Sequence, residues 1–310
     1  MDVVFCSDDN YVMHCGIAMI SMLENNKNAD IVTHIVGKGI SDENKAVLKG
    51  ISDKYNAQIK FYNISDEELS KYPLPPTPLH INVSAYIRLF LFDILPQEIE
   101  KVLYLDCDLV VVDDLSDLWN INIDNYSVAG VIDSNEYTEA DYLARKFDPL
   151  KSYTYINSGV MLMNLKYWRE HNVLDKLIAY IRDNYESIHY ADQDTLNGAL
   201  PDSIGFLPFR YNVHLTFFTN KFRVLDAFQK EIDAALHDIA IIHYTTSMKP
   251  WLKGCVHPLK DTFLKYKAMS PWKDVPITWG NQPGSKKRRY YKRMILGKLG
   301  FKKYKSVKFD

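Results

Sequence analysis

Lys101-Val-Leu-Tyr-Leu-Asp-Cys-Asp-Leu-Val-Val-Val112 is the stretch that decides how this chain reads. Val102 to Leu105 run into Asp106-Cys107-Asp108, and Leu109 to Val112 follow. A continuous Val-rich run predicts a strand buried on both faces, as in a parallel sheet of an α/β protein. Two carboxylates inside such a run are costly to bury unless a cation lies between them. On an extended backbone an i, i+2 pair projects to one side, so Asp106 and Asp108 could share one divalent ion. Oxygen ligands suit Mg²⁺ or Mn²⁺, which keep coordination positions open for a substrate phosphate. The triplet alone is weak evidence, because Asp192-Gln193-Asp194 is a second Asp-x-Asp in this chain.

Upstream of this stretch, Asp2 to Cys6 reads as a first buried strand. A helix follows to about Asn25, with Met13, Ile17, Ile20 and Leu23 near helical spacing. Ile31 to Val36 is a second strand, Ser41 caps a helix over 42–54, and Gln58 to Tyr62 is a third strand. Ser65-Asp-Glu-Glu68 matches a capping box. The alternation βαβαβ implies a parallel sheet with helices on both faces. Pro73 to Pro78 breaks it as a surface loop, and Ser84 to Leu95 reads as a helix carrying Tyr86 and Arg88.

Downstream, Tyr126 to Ile132 is a strand ending at Asp133, and residues 137–155 read as a variable, mostly helical loop. Ile156 to Met163 is a strand with a polar start, and helices are expected at about 165–169, 173–185 and 193–199. Ile239 to Ile242 is a last strand, ending on His243, and residues 250–285 read as irregular packing. Asp8, Asp106, Asp133 and His243 thus all fall at or just beyond predicted strand ends. In a parallel sheet those ends share one edge, where α/β ligands bind.

Composition is that of an ordinary globular chain of 310 residues, 47% hydrophobic and 25% charged. The start of the chain lacks a basic n-region, and no apolar run approaches the roughly 20 residues of a membrane span. Cys6, Cys15, Cys107 and Cys255 have no CxxC spacing, which leaves zinc and redox motifs unsupported and suggests free thiols in the cytosol. The net charge of −2 conceals an asymmetry. Residues 286–310 hold eleven Lys or Arg and one Asp; 26 basic and 38 acidic residues precede them. Tyr290, Tyr291, Met294, Ile295, Leu296, Leu299 and Phe301 are interleaved with these bases, a mixture suited to an anionic membrane surface. Nucleic acid is disfavoured as a partner, because the acidic body would be repelled by phosphates.

Seven motifs, in order over about residues 1–265, resemble the bacterial family 8 glycosyltransferases, the lipopolysaccharide galactosyl- and glucosyltransferases related to glycogenin. They are Asp8-Asp9-Asn10-Tyr11, His80-Ile81 with Tyr86-Ile87-Arg88, Val102 to Asp108, Tyr155-Ile-Asn-Ser-Gly-Val160, Asp192-Gln-Asp-Thr-Leu-Asn-Gly198, Arg210-Tyr-Asn212, and His243-Tyr244 with Lys249-Pro-Trp251. The resemblance implies a GT-A-type, Rossmann-like mixed sheet with helices on both faces. It also implies a UDP-sugar donor, Mn²⁺ (Mg²⁺ as the alternative), and transfer of glucose or galactose with retention of configuration.

Carried over by residue, the resemblance makes Asp106, Asp108 and His243 the metal ligands, with Lys249 a second cation at the diphosphate. Asp8, Asn10 and Tyr11 would hold uracil and ribose, and Cys107 would place its backbone near the ribose. Arg88, Asn157, Asp192 and Gln193 would bind donor hydroxyls, while His80 and Asp133 would face the acceptor. Arg88, Asp133, Asp192 and Gln193 are then the candidate catalytic residues. Two carboxylates commonly perform double displacement in retaining enzymes, whereas the amide of Gln193 is a poor nucleophile. Front-face transfer, in which the leaving phosphate takes the acceptor's proton, is therefore favoured.

Each residue also has a purely structural alternative. Asp8 and Asp9 could start a helix, His243 could be a core histidine, Arg88 could pair with Asp93, and Asp192 and Asp194 could cap a helix. The expectation is a catalytic domain over 1–265 and a basic segment over 266–310 that holds it on the cytoplasmic face of the cell membrane. There it would extend lipopolysaccharide or another surface saccharide. A non-catalytic nucleotide-sugar-binding protein and a Mn²⁺-dependent UDP-sugar hydrolase are the alternatives.

Overall fold

The computed structural model describes residues 1–72, 86–133, 155–219, 228–298, 304, 305 and 307. Strand β1 (Asp2–Cys6), helix α1 (Val12–Asn25), β2 (Val32–Gly37), α2 (Asp42–Lys54), β3 (Gln58–Asn63) and α3 (Asp66–Ser70) follow the expected alternation. Local chemistry sets their ends. The Ser41 hydroxyl accepts from the Asn44 amide at the start of α2. Ser65 and Glu68 form the reciprocal capping box of α3.

A seven-stranded sheet runs in the order β3-β2-β1-β4-β7-β6-β8, with β4 at Lys101–Leu105, β6 at Val128–Ile132, β7 at Ile156–Asn164 and β8 at Ile204–Phe206. The pairs β3·β2, β2·β1 and β1·β4 are parallel, while β7 lies antiparallel between β4 and β6. Successive residues of a strand alternate faces. Val3, Phe5, Leu103 and Leu105 therefore enter the core beneath α1 and α2. Val4, Val102 and Tyr104 join the opposite core, built on Met161, Met163 and Trp168. The latter core is closed by helices at Leu165–Glu170, Val173–Asn184 and Ala191–Ala199. The Trp168 indole, 1% exposed, donates to Ser127 O at 2.7 Å, so its burial leaves no polar atom stranded. Burying one such side chain stabilises the fold by about 1.5–3 kcal/mol.

Three expectations need correction. Residues 101–112 do not form one strand: β4 ends at Leu105, and β5 (Leu109–Val111) belongs to a second sheet, β5-β10-β9, with β9 at Val213–His214 and β10 at Ile241–His243. The Asp106 amide still bonds Gly159 O on the large sheet, at 2.8 Å, and the Asp108 carbonyl already accepts from Tyr244 N, at 2.9 Å. The carboxylates thus occupy the turn between two sheets, and they converge through that turn rather than through strand alternation. Secondly, the helix expected over 84–95 is helical from residue 87 on, but as a 3₁₀ turn, Ile87–Phe90, that passes into a short α-helix, Leu91–Ile94, rather than one continuous α-helix.

Thirdly, the supposedly irregular 250–285 segment contains a helix, Lys260–Met269, whose Phe263 and Tyr266 are buried. The basic tail forms a further helix, Gly284–Lys298, with Tyr291, Met294 and Ile295 exposed. Among the described residues no helix is long and apolar enough to cross a membrane. The expectation for residues 137–155 falls, up to residue 154, outside the described residues, as does His80.

Candidate active site

Strands β1, β4 and β6 point the same way, so their carboxyl ends share one edge, and antiparallel β7 begins at that edge. This places Asp8, Asp106, Asp133 and Asn157 together. The chain turns to β2 on one side of β1 and to β4 on the other, which makes the gap between β1 and β4 a topological switch point. The small sheet adds His243 from β10, and the first turn of Ala191–Ala199 adds Asp192 and Gln193.

Asp106, Asp108 and His243 each offer one ligand atom, all within 4.8 Å of one another. A chain of hydrogen bonds sets the protonation of the imidazole. The Gly159 amide, an obligatory donor, bonds Asn157 Oδ1 at 3.0 Å. That oxygen also accepts from Asn212 Nδ2 at 2.9 Å, so Asn212 turns its Oδ1 toward His243 Nδ1, 2.9 Å away. Nδ1 therefore carries a proton, and in the uncharged ring the lone pair lies on Nε2. Nε2 faces Asp108 Oδ1 at 3.0 Å and Asp106 Oδ2 at 3.7 Å. With the ring uncharged these are three acceptors directed at one point, repulsive unless a proton or a metal ion lies among them, and the donor set of two oxygens and one imidazole nitrogen fits a divalent ion. An outer amide that fixes the tautomer is the usual support of a metal-binding histidine.

Arg88 and Lys249 balance the acidic charge. Arg88 Nη2 lies 3.0 Å from Asp106 Oδ1 and Nη1 lies 3.2 Å from Asp192 Oδ2; its guanidinium sits 4.5 Å over the Tyr104 ring. It does not pair with Asp93, which accepts instead from the Tyr72 hydroxyl. Burial opposes the charge on Arg88, but Asp106 and Asp192 hold its pKa well above the ordinary value. Burial raises the Asp192 carboxyl, and Arg88 offsets part of that rise. Lys249 Nζ bonds Asp108 Oδ2 and donates to Tyr244 O at 2.8 Å. For Asp108, burial works against ionisation, yet Lys249, joined by His243 when its Nε2 is protonated, outweighs it and holds the carboxyl far below the usual range.

Gln193 is held on all sides. Its Oε1 accepts from Ser158 N and Asn157 Nδ2, each at 3.1 Å. Its Nε2 donates to Asp133 Oδ2 at 2.9 Å and to the Tyr155 hydroxyl at 3.2 Å. Asp194, once a candidate cap, accepts from the Tyr155 hydroxyl and from the His189 and Tyr190 amides, so its role here is structural.

Asp8 Oδ1 accepts from the Tyr11 amide at 3.0 Å, and Asn10 and Tyr11 are exposed beyond it. Asp9 instead ties the loop to α2 through Ser41 and Asn44. Cys107 is buried and its thiol points at Cys6 O, 3.3 Å away.

Sequence reasoning gave no role to Asn212, Gly159, His14, Trp251 or His214. Asn212, Gly159 and Trp251 lie in quoted motifs, which was their only signal. His14 stacks on Trp251 with ring centroids 3.6 Å apart and meets Tyr11 edge-on. Burial pushes its imidazole down to about 4. His214, fully buried, lies 3.8 Å from Asp133.

Comparison with known proteins gives a consistent result. The family model described as glycosyl transferase family 8 matches residues 2–255. General stress protein A of Bacillus subtilis is 28% identical, covering 89% of this chain and 96% of that protein. The lipopolysaccharide 1,2-glucosyltransferase of Escherichia coli K12 is also 28% identical, over 88% of this chain and 79% of its own length. Among solved structures, the galactosyltransferase LgtC in complex with donor and acceptor sugar analogues superposes with a TM-score of 0.76. It is 27% identical, and the match covers 87% of this chain and 96% of that one.

Proposed function

The chain belongs to glycosyl transferase family 8, and from that premise we propose that it transfers a hexose, glucose or galactose, from a UDP-sugar to a saccharide acceptor. The proposed reaction needs Mn²⁺ and retains anomeric configuration. The observation that carries the reading is the convergence of Asp106, Asp108 and the lone pair of His243 Nε2 on one point at the switch edge of a GT-A-type sheet.

In this reading Asp106, Asp108 and His243 hold the divalent cation, which would supply Lewis-acid neutralisation of the departing diphosphate. Lys249 adds a positive charge beside the same phosphates. Asp8 accepts from the base, Tyr11 stacks on it, Asn10 lies at the ribose, and the Cys107 backbone closes that side. Arg88, Asn157, Asp192 and Gln193 orient the sugar hydroxyls, while Asp133 serves the acceptor, a role His80, outside the described residues, would share.

Gln193 is a poor candidate nucleophile: besides being an amide, its Oε1 already accepts two hydrogen bonds. Asp192 is clamped by Arg88. These restraints favour front-face transfer, with the acceptor's proton passing to the leaving phosphate. Several relatives are named lipopolysaccharide glucosyl- or galactosyltransferases, which supports a lipopolysaccharide-type acceptor.

The test of donor and reaction is UDP release from a panel of UDP-sugars, with and without Mn²⁺. Turnover of one hexose donor, slow alone and accelerated by an oligosaccharide acceptor, is expected. Release that no acceptor accelerates would identify a hydrolase, and binding without release would identify a carrier.

The proposed division is a catalytic domain over 1–265 and a segment over 266–310 that attaches it to the cytoplasmic face of the membrane. Its support is the basic helix Gly284–Lys298 with exposed Tyr291, Met294 and Ile295. Deleting 286–310 should abolish co-sedimentation with anionic liposomes at low salt while sparing transfer to a soluble acceptor. Undiminished liposome binding by the truncated chain would reject the attachment role.

A further inference from the structure

Within the proposed metal site, and resting on that reading, we infer that Lys249 is a tethered cation that competes with the divalent ion for Asp108, and so makes metal binding depend on the diphosphate. The geometry divides the carboxylate oxygens. Asp106 gives Oδ1 to Arg88 and to the Tyr104 hydroxyl, and turns Oδ2 toward His243. Asp108 turns Oδ1 toward His243 and gives Oδ2 to the Lys249 ammonium. The metal-facing oxygen of Asp108 therefore belongs to a carboxylate that is already ion-paired through its other oxygen. Lys249 is positioned for this by its own backbone partner, Tyr244 O, on the residue after His243. Its loop is in turn moored by the stack of Trp251 on His14.

Asp106, Asp108 and Asp192 face Arg88 and Lys249, three carboxylates against two cations. Arg88 is held by two carboxylates and by the Tyr104 ring, so it stays. Lys249 has one charged partner and a flexible four-carbon stem. A divalent ion arriving alone meets the repulsion of this ammonium at close range, and an effective dielectric near 20 does little to screen it. A diphosphate gives the ammonium a stronger anionic partner within reach. When Lys249 turns to it, Asp108 recovers its full charge for the metal. Metal and nucleotide then favour one another beyond what their direct contact supplies, and by linkage the effect is reciprocal.

The test is Mn²⁺ binding, read from the free-ion EPR signal, to the full chain with and without UDP, for wild type, Lys249→Met and Lys249→Arg. Wild type should bind Mn²⁺ weakly alone and more tightly with UDP. Lys249→Met should bind Mn²⁺ alone about five- to tenfold more tightly than wild type, bind UDP in chelator more weakly, and show a correspondingly smaller effect of UDP on Mn²⁺, a change in the usual range of site–site coupling. Lys249→Arg, which keeps the charge, should behave as wild type toward Mn²⁺ alone. Lys249→Met binding Mn²⁺ alone no better than wild type would overturn the inference, as would Lys249→Arg binding it as tightly as Lys249→Met. If wild type binds no Mn²⁺ even with UDP, the metal-site reading itself fails and takes this inference with it.

Discussion

Asp108→Asn should leave a folded protein whose metal-dependent UDP-sugar turnover is lower by about 10²–10³-fold, the usual scale for removing one electrostatic contact to the developing charge. The carboxylate serves two partners at once, His243 Nε2 through Oδ1 and the Lys249 ammonium through Oδ2. Asparagine keeps the shape but supplies one acceptor oxygen and no charge. The amide group placed toward His243 or Lys249 would then present a donor to a ligand position or to an ammonium.

Breaking a buried ion pair by removing one partner costs about 3–5 kcal/mol. Lys249 retains Tyr244 O and is 18% exposed, so a loss toward the lower end is expected. The pH dependence gives an independent check. The folded carboxyl of Asp108 titrates below its ordinary value near 3.8. Its stabilising contribution is therefore present at neutral pH and is lost only as pH falls below about 4. Asp108→Asn should weaken stability above that range and leave a shallower acid limb. UDP release and thermal unfolding against pH read both effects. Unchanged turnover in the variant would remove Asp108 from the chemistry.

Gly159→Ala should be as damaging, although it adds one methyl group to a residue with no side-chain chemistry. An ideal Cβ at this position lies 2.2 Å from His243 Cε1 and 2.8 Å from Asp106 Oδ2. Neither neighbour can yield freely. His243 is fixed through Nδ1 to Asn212, and Asp106 through Oδ1 to Arg88 and Tyr104. The backbone cannot retreat either, because Gly159 bonds Asn157 Oδ1 through its amide and Asp106 N through its carbonyl. Two of the three proposed ligands must move, and a displacement of about 1 Å at such a site costs about 10²-fold in rate. Overpacking should also lower stability by about 1–3 kcal/mol. Gly50, on the exposed face of α2 with nothing near its Cβ position, is the control. Alanine there should leave turnover unchanged and add about 1 kcal/mol of stability. Activity of Gly159→Ala equal to that of wild type would contradict the packing argument.

These two positions also mark where the sequence is readable and where it is not. The caps at Ser41 and Ser65 and the strands that stop at Asp8, Asp106 and Asp133 are local signals, and the folded chain keeps them. His243 is legible for the same reason. The break after Leu105 is hidden because four apolar residues lie on each side of the carboxylates, and hydrophobicity does not say that the two halves join different sheets. The helix Lys260–Met269 is masked by surrounding Trp, Pro and Lys. The Asn157–Asn212–His243 relay joins residues from two sheets, and spacing carries no information about contacts of that range. The exchange of Lys249 between carboxylate and diphosphate is likewise invisible in sequence, since a motif fixes which residues are present but not which oxygen each one occupies.

The most direct measurement is the anomalous difference density of crystals grown with Mn²⁺ and UDP, collected at the manganese edge. A single strong peak within coordination distance, about 2.0–2.2 Å, of Asp106 Oδ2, Asp108 Oδ1 and His243 Nε2, with diphosphate oxygens on its open side, is the predicted result. Well-ordered UDP with no peak between these three atoms, or with the manganese bound elsewhere, would contradict the account.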